Sequence, residues 1–248
     1  MTEAGTGKLT VVGIGPGGRL DRTHRAEAAL READLVAGYD LYLSHIADLL
    51  PGKETLATGM TAEVERCRAA LEAAARGRRV ALVSSGDAGI YGMAGLALEM
   101  AAKEGFSVPI EVVPGVSAAS AAAAAFGAPL MLDWACLSLS DLLVEWSVIR
   151  ARLEAVAAAD LVVALYNPRS RRRIHQLEEA AEILLRHRPG STPVGIATAL
   201  GAPDQRVVLS TLERLCGEDV GMRSVVIVGN RSSRVEGGRF ITPRGYAL

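Results

Sequence analysis

The residues best suited by type and spacing to do chemistry lie in glycine-rich turns that follow predicted strands. Residues 13–18 read Gly-Ile-Gly-Pro-Gly-Gly after an apolar run, which matches the dinucleotide-binding pattern G-x-G-x-x-G. Asp40 lies 22 residues beyond the last of these glycines, near the position of an acid that binds a ribose. However, Pro16 removes a backbone N–H from the loop, and the next helix is predicted to begin only at Thr23, too late to reach a pyrophosphate. A tight turn and a glycine floor for a flat ligand both remain open.

Residues 84–93, Ser-Ser-Gly-Asp-Ala-Gly-Ile-Tyr-Gly-Met, form a second turn with three glycines around one acid. This turn follows an apolar run that predicts a strand, and open α/β sheets bind ligands at the carboxyl ends of their strands. Backbone N–H groups and the Asp87 carboxylate are therefore suited to the carboxylate and ammonium of an amino acid. A plain glycine turn is the alternative.

Two further turns end predicted strands. In residues 114–118, Pro-Gly-Val-Ser-Ala, Ser117 is either a helix N-cap or a ligand contact. Residues 164–170, Ala-Leu-Tyr-Asn-Pro-Arg-Ser, lead into an arginine cluster, which is either a solvated helix face or a contact for acidic groups of a substrate. The three cysteines and four histidines show no metal-ligand spacing, so we expect no bound metal.

Short β-rich runs alternate with longer helical stretches, which predicts an α/β protein. The predicted strands cover residues 9–13, 34–37, 80–84, 110–113, 135–139, 161–166, 194–198 and 224–228. The predicted helices cover residues 23–33, 62–76, 92–103, 117–126, 147–159 and 171–187, with a short helix near Leu212. A Gly-Ala-Pro break indicates a boundary between residues 115 and 130. We therefore expect two domains, 1–118 and 119–248, with a ligand cleft between them.

Composition and charge exclude several classes of protein. The chain is 50% hydrophobic and 22% charged, which is typical of a globular protein and not of a disordered one. Its 27 basic and 28 acidic residues leave a net charge of −1, which argues against a broad surface for nucleic acid or an anionic membrane. The N-terminus lacks the order of a signal peptide, and proline and glycine interrupt the uncharged stretch 112–132. We therefore expect a cytoplasmic protein that does not span a membrane.

Taken together, these segments resemble the tetrapyrrole methylases that use S-adenosylmethionine, and within them the cobalamin-pathway branch that methylates carbon 17 of precorrin-3B. The resemblance rests on the turns described above and on Thr-Gly-Met-x-x-Glu-x-x-Arg (58–66), Leu-Ser-Leu-Ser-Asp-Leu-Leu (137–143), Thr-Pro-Val-Gly (192–195), Val-Val-Ile-Val-Gly-Asn (225–230) and Ile-Thr-Pro-Arg-Gly-Tyr (241–246). It covers essentially the whole chain. One departure is Ala88, where the family usually has a proline.

This resemblance implies a two-domain α/β tetrapyrrole methylase fold in a homodimer, with the methyl-donor site in the interdomain cleft and a tetrapyrrole substrate beside it. Carried over position by position, the contacts to S-adenosylmethionine are Pro16, Gly86, Asp87, Ala88, Ile90, Tyr91, Ser117, Ala118, Tyr166, Asn167, Ala197 and Gly229. The candidates for contacts to the macrocycle and its carboxylates are Gly15, Gly17, Arg66, Arg169 and Arg171.

The implied reaction fits a site without a metal or a catalytic triad. A sulfonium methyl is already activated and the attacking atom is a ring carbon, so the enzyme mainly supplies positioning and desolvation. The family reaction also contracts the ring and extrudes carbon 20 as an acetyl group, which a base assists by taking a proton from the hydroxyl at that carbon. The acidic candidates near predicted strand ends are Asp40, Asp87, Asp133 and Asp141.

Three other interpretations stay open on the sequence alone. The same step could act on a cobalt-containing intermediate, because nothing in the residues tells whether the macrocycle carries a metal. The glycines at 13–18 could instead serve a nicotinamide-dependent oxidoreductase. A non-catalytic carrier that passes tetrapyrroles between enzymes is the third.

Overall fold

A computed structural model describes residues 7–170 and 173–247 of the chain. The fold is α/β, as the alternating pattern predicts. The chain divides into two compact units, Met1–Ala118 and Ala119–Leu248. Within the described residues, no helix combines the length and apolar character that a membrane span requires.

The first unit is built on one parallel sheet. Its strands are β1 (Lys8–Gly13), β2 (Leu35–Tyr39), β3 (Glu54–Thr58), β4 (Arg79–Ser84) and β5 (Ile110–Val113). They lie side by side in the order β3-β2-β4-β1-β5. The helices are α1 (His24–Glu32), α2 (Asp40–Ser44), α3 (Glu63–Ala75) and α4 (Met93–Glu104), and single helical turns lie at Arg19–Asp21 and Ala47–Leu49.

Both faces of this sheet are buried. Successive side chains of a strand point to opposite faces, so one strand contributes side chains to both cores. Leu9 and Val11 of β1 pack in the cluster that contains residues of α3 and α4. Val12 and the adjoining Ile14 pack in the other cluster, which contains residues of α1. Helix α1 begins where the sequence predicts, since the Thr23 hydroxyl accepts a hydrogen bond from the backbone N–H of Ala26 at 3.0 Å.

The parallel arrangement brings the carboxyl ends of all five strands to one edge of the sheet. The registers align β1 with β4 and β5, and β2 with β3 and β4. The glycine-rich turns after β1, β4 and β5 therefore leave the sheet from three neighbouring strands. This edge is where open α/β sheets bind ligands.

The second unit contains a mixed sheet. It begins with α5 (Ala118–Phe126), and its elements continue with β6 (Gly127–Ala128), β7 (Trp134–Ser138), α6 (Trp146–Ala158), β8 (Val162–Tyr166), α7 (His175–Leu185), β9 (Pro193–Thr198), β10 (Arg206–Thr211), a helical turn at Leu212–Gly217, β11 (Ser224–Val228), β12 (Arg234–Glu236) and β13 (Arg239–Ile241). The main sheet has the order β10-β9-β11-β8-β7, and β12, β13 and β6 form a small second sheet.

Only β7 and β8 are parallel in the main sheet of the second unit; the pairs β8·β11, β11·β9 and β9·β10 are antiparallel. Antiparallel neighbours need no crossover helix, which agrees with the short links around β10. One end of this sheet carries Ser138, Tyr166, Thr198 and Ser224, and the other end carries the first residues of β7 and β8 and the last residue of β11.

The predicted strands and helices are confirmed, with ends that shift by a few residues. The largest shift is in α7, which was predicted from residue 171 and begins at His175. The elements that the sequence did not predict include α2, β3, β10 and the three short strands of the small second sheet, β6, β12 and β13. Strands β3 and β10 are edge strands without a buried residue. The mixed residues of β3 lack an apolar run, whereas β10 contains the run Val-Val-Leu at 207–209, which the prediction passed over.

Surface ion pairs make the fold sensitive to acid. A side-chain hydrogen bond from Arg79 holds the pKa of Asp34 at about 2, below its ordinary value of 3.8. A carboxyl with a lowered folded pKa stabilises the protein above the unfolded pKa, and this contribution is lost as the pH falls through the folded pKa. The pair is partly exposed, so solvent screening limits its contribution to about 1 kcal/mol or less.

We therefore expect the free energy of unfolding in urea to fall between about pH 4 and about pH 2. Asp34→Asn should lower stability at neutral pH and flatten this dependence, whereas Asp40→Asn, at another exposed aspartate, should leave it unchanged. An equally steep loss of stability in acid for Asp34→Asn would show that this ion pair does not contribute.

Candidate functional site

Three loops of the first unit meet beyond the carboxyl edge of the parallel sheet. The backbone N–H of Ile14, after β1, donates to the carbonyl of Ser84 at the end of β4 at 2.9 Å. Gly15 and Gly86 then form an isolated antiparallel bridge, with N–H···O distances of 3.1 and 2.7 Å. The first glycine loop is thus bound to the second one, and it does not lead into a helix N-terminus. Helix α1 begins only at His24, so its N-terminal N–H groups are too far along the chain for the first glycine loop to place a pyrophosphate on them.

The glycines of these loops allow backbones to touch. A Cβ on Gly115, in the loop after β5, would lie 2.2 Å from the Gly86 carbonyl oxygen. A Cβ on Gly13 would lie 2.7 Å from the Gly115 nitrogen, and one on Gly92 would lie 2.5 Å from the Ala88 carbonyl oxygen. Neighbouring backbone therefore fills the space beside these glycines. At Gly13 this favours a tight turn over a glycine floor on which a flat ligand could lie.

Asp87 ties the second loop to the third. One carboxylate oxygen accepts from the backbone N–H of Gly89 at 2.8 Å, and the other accepts from Gly115 at 3.0 Å. Such bonds to an ionised acceptor are stronger than neutral ones. Both oxygens thus hold the loops in place, a role that the sequence did not predict, and this geometry argues against Asp87 as the group that transfers a proton.

Asp87→Asn tests this role. The amide keeps the size of the side chain but replaces one acceptor with an N–H group, which would face the N–H of Gly89 or Gly115. We expect affinity for S-adenosylhomocysteine in calorimetry to fall about tenfold, or roughly 1.4 kcal/mol. Asp133→Asn, at an exposed aspartate in the second unit, is the control and should bind as the wild type does. Equal affinities of Asp87→Asn and wild type would contradict a role of the carboxylate in the donor loops.

The predicted donor contacts of the first unit differ in accessibility. Ile90 and Tyr91 are 38% and 55% exposed and offer apolar surface, and Tyr91 has a φ of +53°. Pro16 and Ala118 are half-buried, and Ser117 is buried. Ala88 has no accessible surface and packs in the core cluster beneath the loop. Ala88 therefore supports the loop from below, and its burial argues against the predicted contact with the donor.

The macrocycle candidates of the first unit are less available than predicted. Gly15 is buried, and a Cβ there would lie 2.7 Å from the Asp21 carbonyl oxygen. Gly17, with a φ of +154°, is half-buried. Arg66 is only 3% exposed and bonds to neighbouring protein groups, which argues against its prediction as a direct partner of substrate carboxylates. Asp40 begins α2 directly after β2, and it is an exposed carboxyl at the ligand edge.

In the second unit, a polar cluster lies at the end of the sheet where β7 and β8 finish. The Asn167 side-chain amide donates to the Ser138 hydroxyl at 3.0 Å, and the backbone carbonyl of Asn167 accepts from the Arg173 guanidinium at 2.8 Å. Asn167 has a φ of +49°, a left-handed conformation that asparagine tolerates better than most residues. The Tyr166 hydroxyl accepts from the backbone N–H of Ala119 at 2.9 Å. Tyr166 and Asn167 were predicted as site residues, and Arg173 belongs to the arginine cluster that follows them. Ser138 was missed, although the 137–143 motif contains it.

Sheet register separates Gly229 from this cluster. Ala197 is buried one residue before the end of β9 and lies near the same end as Tyr166. Gly229 follows β11, whose last residue pairs with Val163 near the start of β8, so it lies at the opposite end. At about 3.3 Å per residue the two ends are roughly 13 Å apart. This register argues against the prediction that Gly229 joins Tyr166 in one pocket, and Ser224, which pairs with Thr198, occupies the matching end of β11.

The remaining acidic and basic candidates of the second unit differ in their position relative to Tyr166 and in their partners. Asp133 precedes β7 and so lies at the opposite end from Tyr166, which argues against its prediction as the base. Asp141 follows β7 at the Tyr166 end, is exposed and accepts from Gln176 at 2.8 Å. Arg169 forms an ion pair with Glu178 at 3.4 Å. Arg171 lies outside the described residues.

Comparison with known proteins defines the class. Residues 8–216 match the Tetrapyrrole (Corrin/Porphyrin) Methylases, and the chain belongs to this family. It is accordingly a methyltransferase, and the resemblance drawn from the motifs is confirmed. A Salmonella typhimurium protein named probable cobalt-factor III C(17)-methyltransferase is 46% identical over 97% of this chain and 100% of its own length. A Sinorhizobium protein named precorrin-3B C(17)-methyltransferase is 39% identical over 98% of both chains.

Solved structures show the same fold. The crystal structure of the methyltransferase CobJ superposes with a TM-score of 0.90 at 38% identity, over 96% of this chain and all of that one. A uroporphyrin-III C-methyltransferase from Thermus thermophilus, complexed with S-adenosylhomocysteine, superposes with a TM-score of 0.70 at 26% identity, over 90% and 97% of the two chains. The predicted tetrapyrrole methylase fold is therefore confirmed.

Proposed function

We propose that this protein transfers the methyl group of S-adenosylmethionine to carbon 17 of precorrin-3B, with contraction of the ring, in cobalamin synthesis. The observation that carries this proposal is the full-length similarity to relatives named for C17 methylation, together with the three joined loops at the carboxyl edge of the parallel sheet. The family membership favours this function over a nicotinamide-dependent oxidoreductase and over a non-catalytic carrier.

The residues of the first unit fit a small, elongated methyl donor. Gly86 has a φ of +64°, and a Cβ there would meet nothing closer than the Ala118 nitrogen at 3.5 Å, so space lies beside the backbone. The exposed side chains of Ile90 and Tyr91 supply apolar surface for an adenine ring. Donor contacts of the second unit at Tyr166 and Asn167 stay predictions.

The donor supplies a methyl group already activated by its sulfonium. During transfer the carbon–sulfur bond breaks as the ring carbon forms a new carbon–carbon bond, and S-adenosylhomocysteine leaves. The loops tied by Asp87 fix the position of the donor, and correct placement of two reactants lowers the barrier without a protein nucleophile.

Ring contraction adds a proton transfer that a carboxylate can assist. Asp40 is an exposed acid that follows β2 at the carboxyl edge of the first sheet. Asp141 is an exposed acid that follows β7 at the Tyr166 end of the second sheet. Each is a candidate for removing the proton from the hydroxyl at carbon 20.

A cobalt-containing macrocycle is the second candidate substrate. The similarity to the Salmonella typhimurium protein, named for cobalt-factor III, favours it directly. The carbon that receives the methyl group is the same in both printed names. The homodimer and the cytoplasmic location implied by the resemblance stay predictions.

The decisive experiment offers both macrocycles to the purified protein. The chain is incubated with S-adenosylmethionine and either precorrin-3B or cobalt-factor III, and products are measured by mass spectrometry. We expect a gain of one methyl group in place of hydrogen, matched by release of S-adenosylhomocysteine, with precorrin-3B as the better substrate. A higher kcat/KM for cobalt-factor III would assign the second candidate. No gain with either macrocycle, or calorimetric binding of NAD without S-adenosylhomocysteine, would contradict the proposed function.

A further inference from the structure

We infer that the loop between β3 and α3 contacts the edge of the tetrapyrrole, and that Arg66 is the positioning residue that holds this loop in place. The loop, residues 58–62, is called the Met60 loop below. The inference rests on the proposed function, because it assigns the part of the first unit that meets the wider portion of the substrate.

Arg66 is a buried cation with neutral partners. It is 3% exposed on α3, and one guanidinium nitrogen donates to the Thr58 hydroxyl and to the carbonyl of Gly59, the latter at 3.3 Å. The second nitrogen lies 3.8 Å from the sulfur of Met93, and Nε has no hydrogen-bond partner. Among the described residues, Arg66 forms no ion pair with a carboxylate.

This arrangement is more costly than simple packing requires. Burying a guanidinium without a counter-charge is unfavourable, and an apolar side chain of similar volume would fill the same space at lower cost. What the arginine provides is a set of bonds to the backbone and hydroxyl of the Met60 loop. The geometry therefore indicates that α3 uses Arg66 to fix the conformation of this loop.

The Met60 loop lies at the ligand edge of the sheet. It follows the carboxyl end of β3, which is two strands from β4 in the order β3-β2-β4-β1-β5. Strand spacing places it about 10 Å to the side of the loop that holds Asp87. A ring of four pyrroles is much wider than the one carbon that receives the methyl group. A macrocycle with that carbon at the donor loops therefore extends sideways along the edge, over Asp40 and toward the Met60 loop.

The exposed side chains of this region suit a flat, largely apolar ring. Met60 is 51% exposed, and Val64, the second residue of α3, is 49% exposed. Methionine adapts its shape to irregular apolar surfaces, including aromatic ones. Arg66 is also connected to the second glycine loop through Met93. Its guanidinium contacts the Met93 sulfur, and the backbone N–H of Met93 donates to the Ser84 hydroxyl at 2.9 Å. Arg66 thus connects the Met60 loop to the start of α4.

The test compares Arg66→Gln with Arg68→Gln. Arg68 lies on the same helix, is 42% exposed and pairs with Glu104, so its substitution removes an equal charge from the surface. We expect Arg66→Gln to raise KM for the tetrapyrrole about tenfold or more, as loss of charged hydrogen bonds does, with S-adenosylhomocysteine affinity within about twofold of wild type. Arg68→Gln should match wild type in both, and Arg66→Lys should fall between.

A second variant and a second readout protect the test against misfolding. Thr58→Val removes the hydroxyl that Arg66 bonds and leaves the arginine in place, and it should raise the same KM, whereas Thr58→Ser should not. Hydrogen exchange of residues 58–62 should accelerate in Arg66→Gln and not in Arg68→Gln. An unchanged KM in both Arg66→Gln and Thr58→Val, or equal losses of donor and tetrapyrrole affinity, would overturn the inference.

Failure of the inference is distinguishable from failure of the proposed function. If wild type methylates neither macrocycle, the proposed function fails whatever the variants do. If wild type methylates and the Met60-loop variants keep the wild-type KM, only the inference fails.

Discussion

Gly115→Ala is expected to abolish measurable binding of S-adenosylhomocysteine and to lower the free energy of unfolding by about 3 kcal/mol. The added Cβ would lie 2.2 Å from the Gly86 carbonyl oxygen and 2.7 Å from the carbonyl carbon and oxygen of Gly13. All of these atoms are backbone, so relief requires the three loops to separate. Separation would also break the hydrogen bond from the Gly115 N–H to Asp87. Calorimetry and urea unfolding measure the two effects.

The control for this variant is Gly95→Ala. Gly95 is an exposed residue of α4 with no atom within 4 Å of an added Cβ. Alanine is the better helix former, so stability should rise by about 0.5–1 kcal/mol and donor binding should persist. If Gly115→Ala bound the donor as wild type does, the joined loops would not be part of the donor site.

Arg188→Met is expected to cost about 2–4 kcal/mol of stability without a direct effect on ligand binding. The Arg188 side chain has no exposed surface, and burial lowers its pKa. Its guanidinium donates to the carbonyls of Gly229 and of Leu161, the latter at 2.6 Å, and lies 3.9 Å from Asp160. Methionine fills similar space but leaves both carbonyls without this donor. Urea unfolding at neutral pH measures the loss.

Arg186→Met provides the matched control. Arg186 is 54% exposed and pairs with Glu154 on the surface, so its loss should change stability by less than about 1 kcal/mol. Equal effects of the two substitutions would show that the buried contacts of Arg188 add nothing. This comparison also tests the hydrogen bond that Arg188 donates to the Gly229 carbonyl, at the end of the sheet away from Tyr166.

Much of the fold followed from local patterns. Apolar runs and helix caps predicted most elements, because a buried strand and a capped helix leave clear signals in neighbouring residues. Thr23 is an example, as its hydroxyl caps α1 where the helix was predicted to begin. Edge strand β3 was missed because its mixed, mostly exposed residues carry no such signal, whereas β10 was missed although it contains the apolar run 207–209.

Some features of the candidate site also followed from local patterns, and others did not. Motif order predicted the family, and it predicted that the turns containing Asp87 and Ser117 lie at strand ends. It could not predict that Ala88 faces the core, or that Gly229 and Asp133 lie at the wrong end of their sheet. Such facts depend on strand direction and register, which pair residues far apart in the chain.

By itself the sequence determined the class of the protein and the turns that hold its chemistry, because glycine, proline and acid spacing are local properties of the chain. Tertiary structure alone decided which of these residues meet and which are buried. It joined Gly15 to Gly86 and Asp87 to Gly115, and it buried Arg66 under the Met60 loop. The physical reason is that burial and long-range hydrogen bonding arise only when separate segments pack, and both decide whether a polar group can reach a ligand.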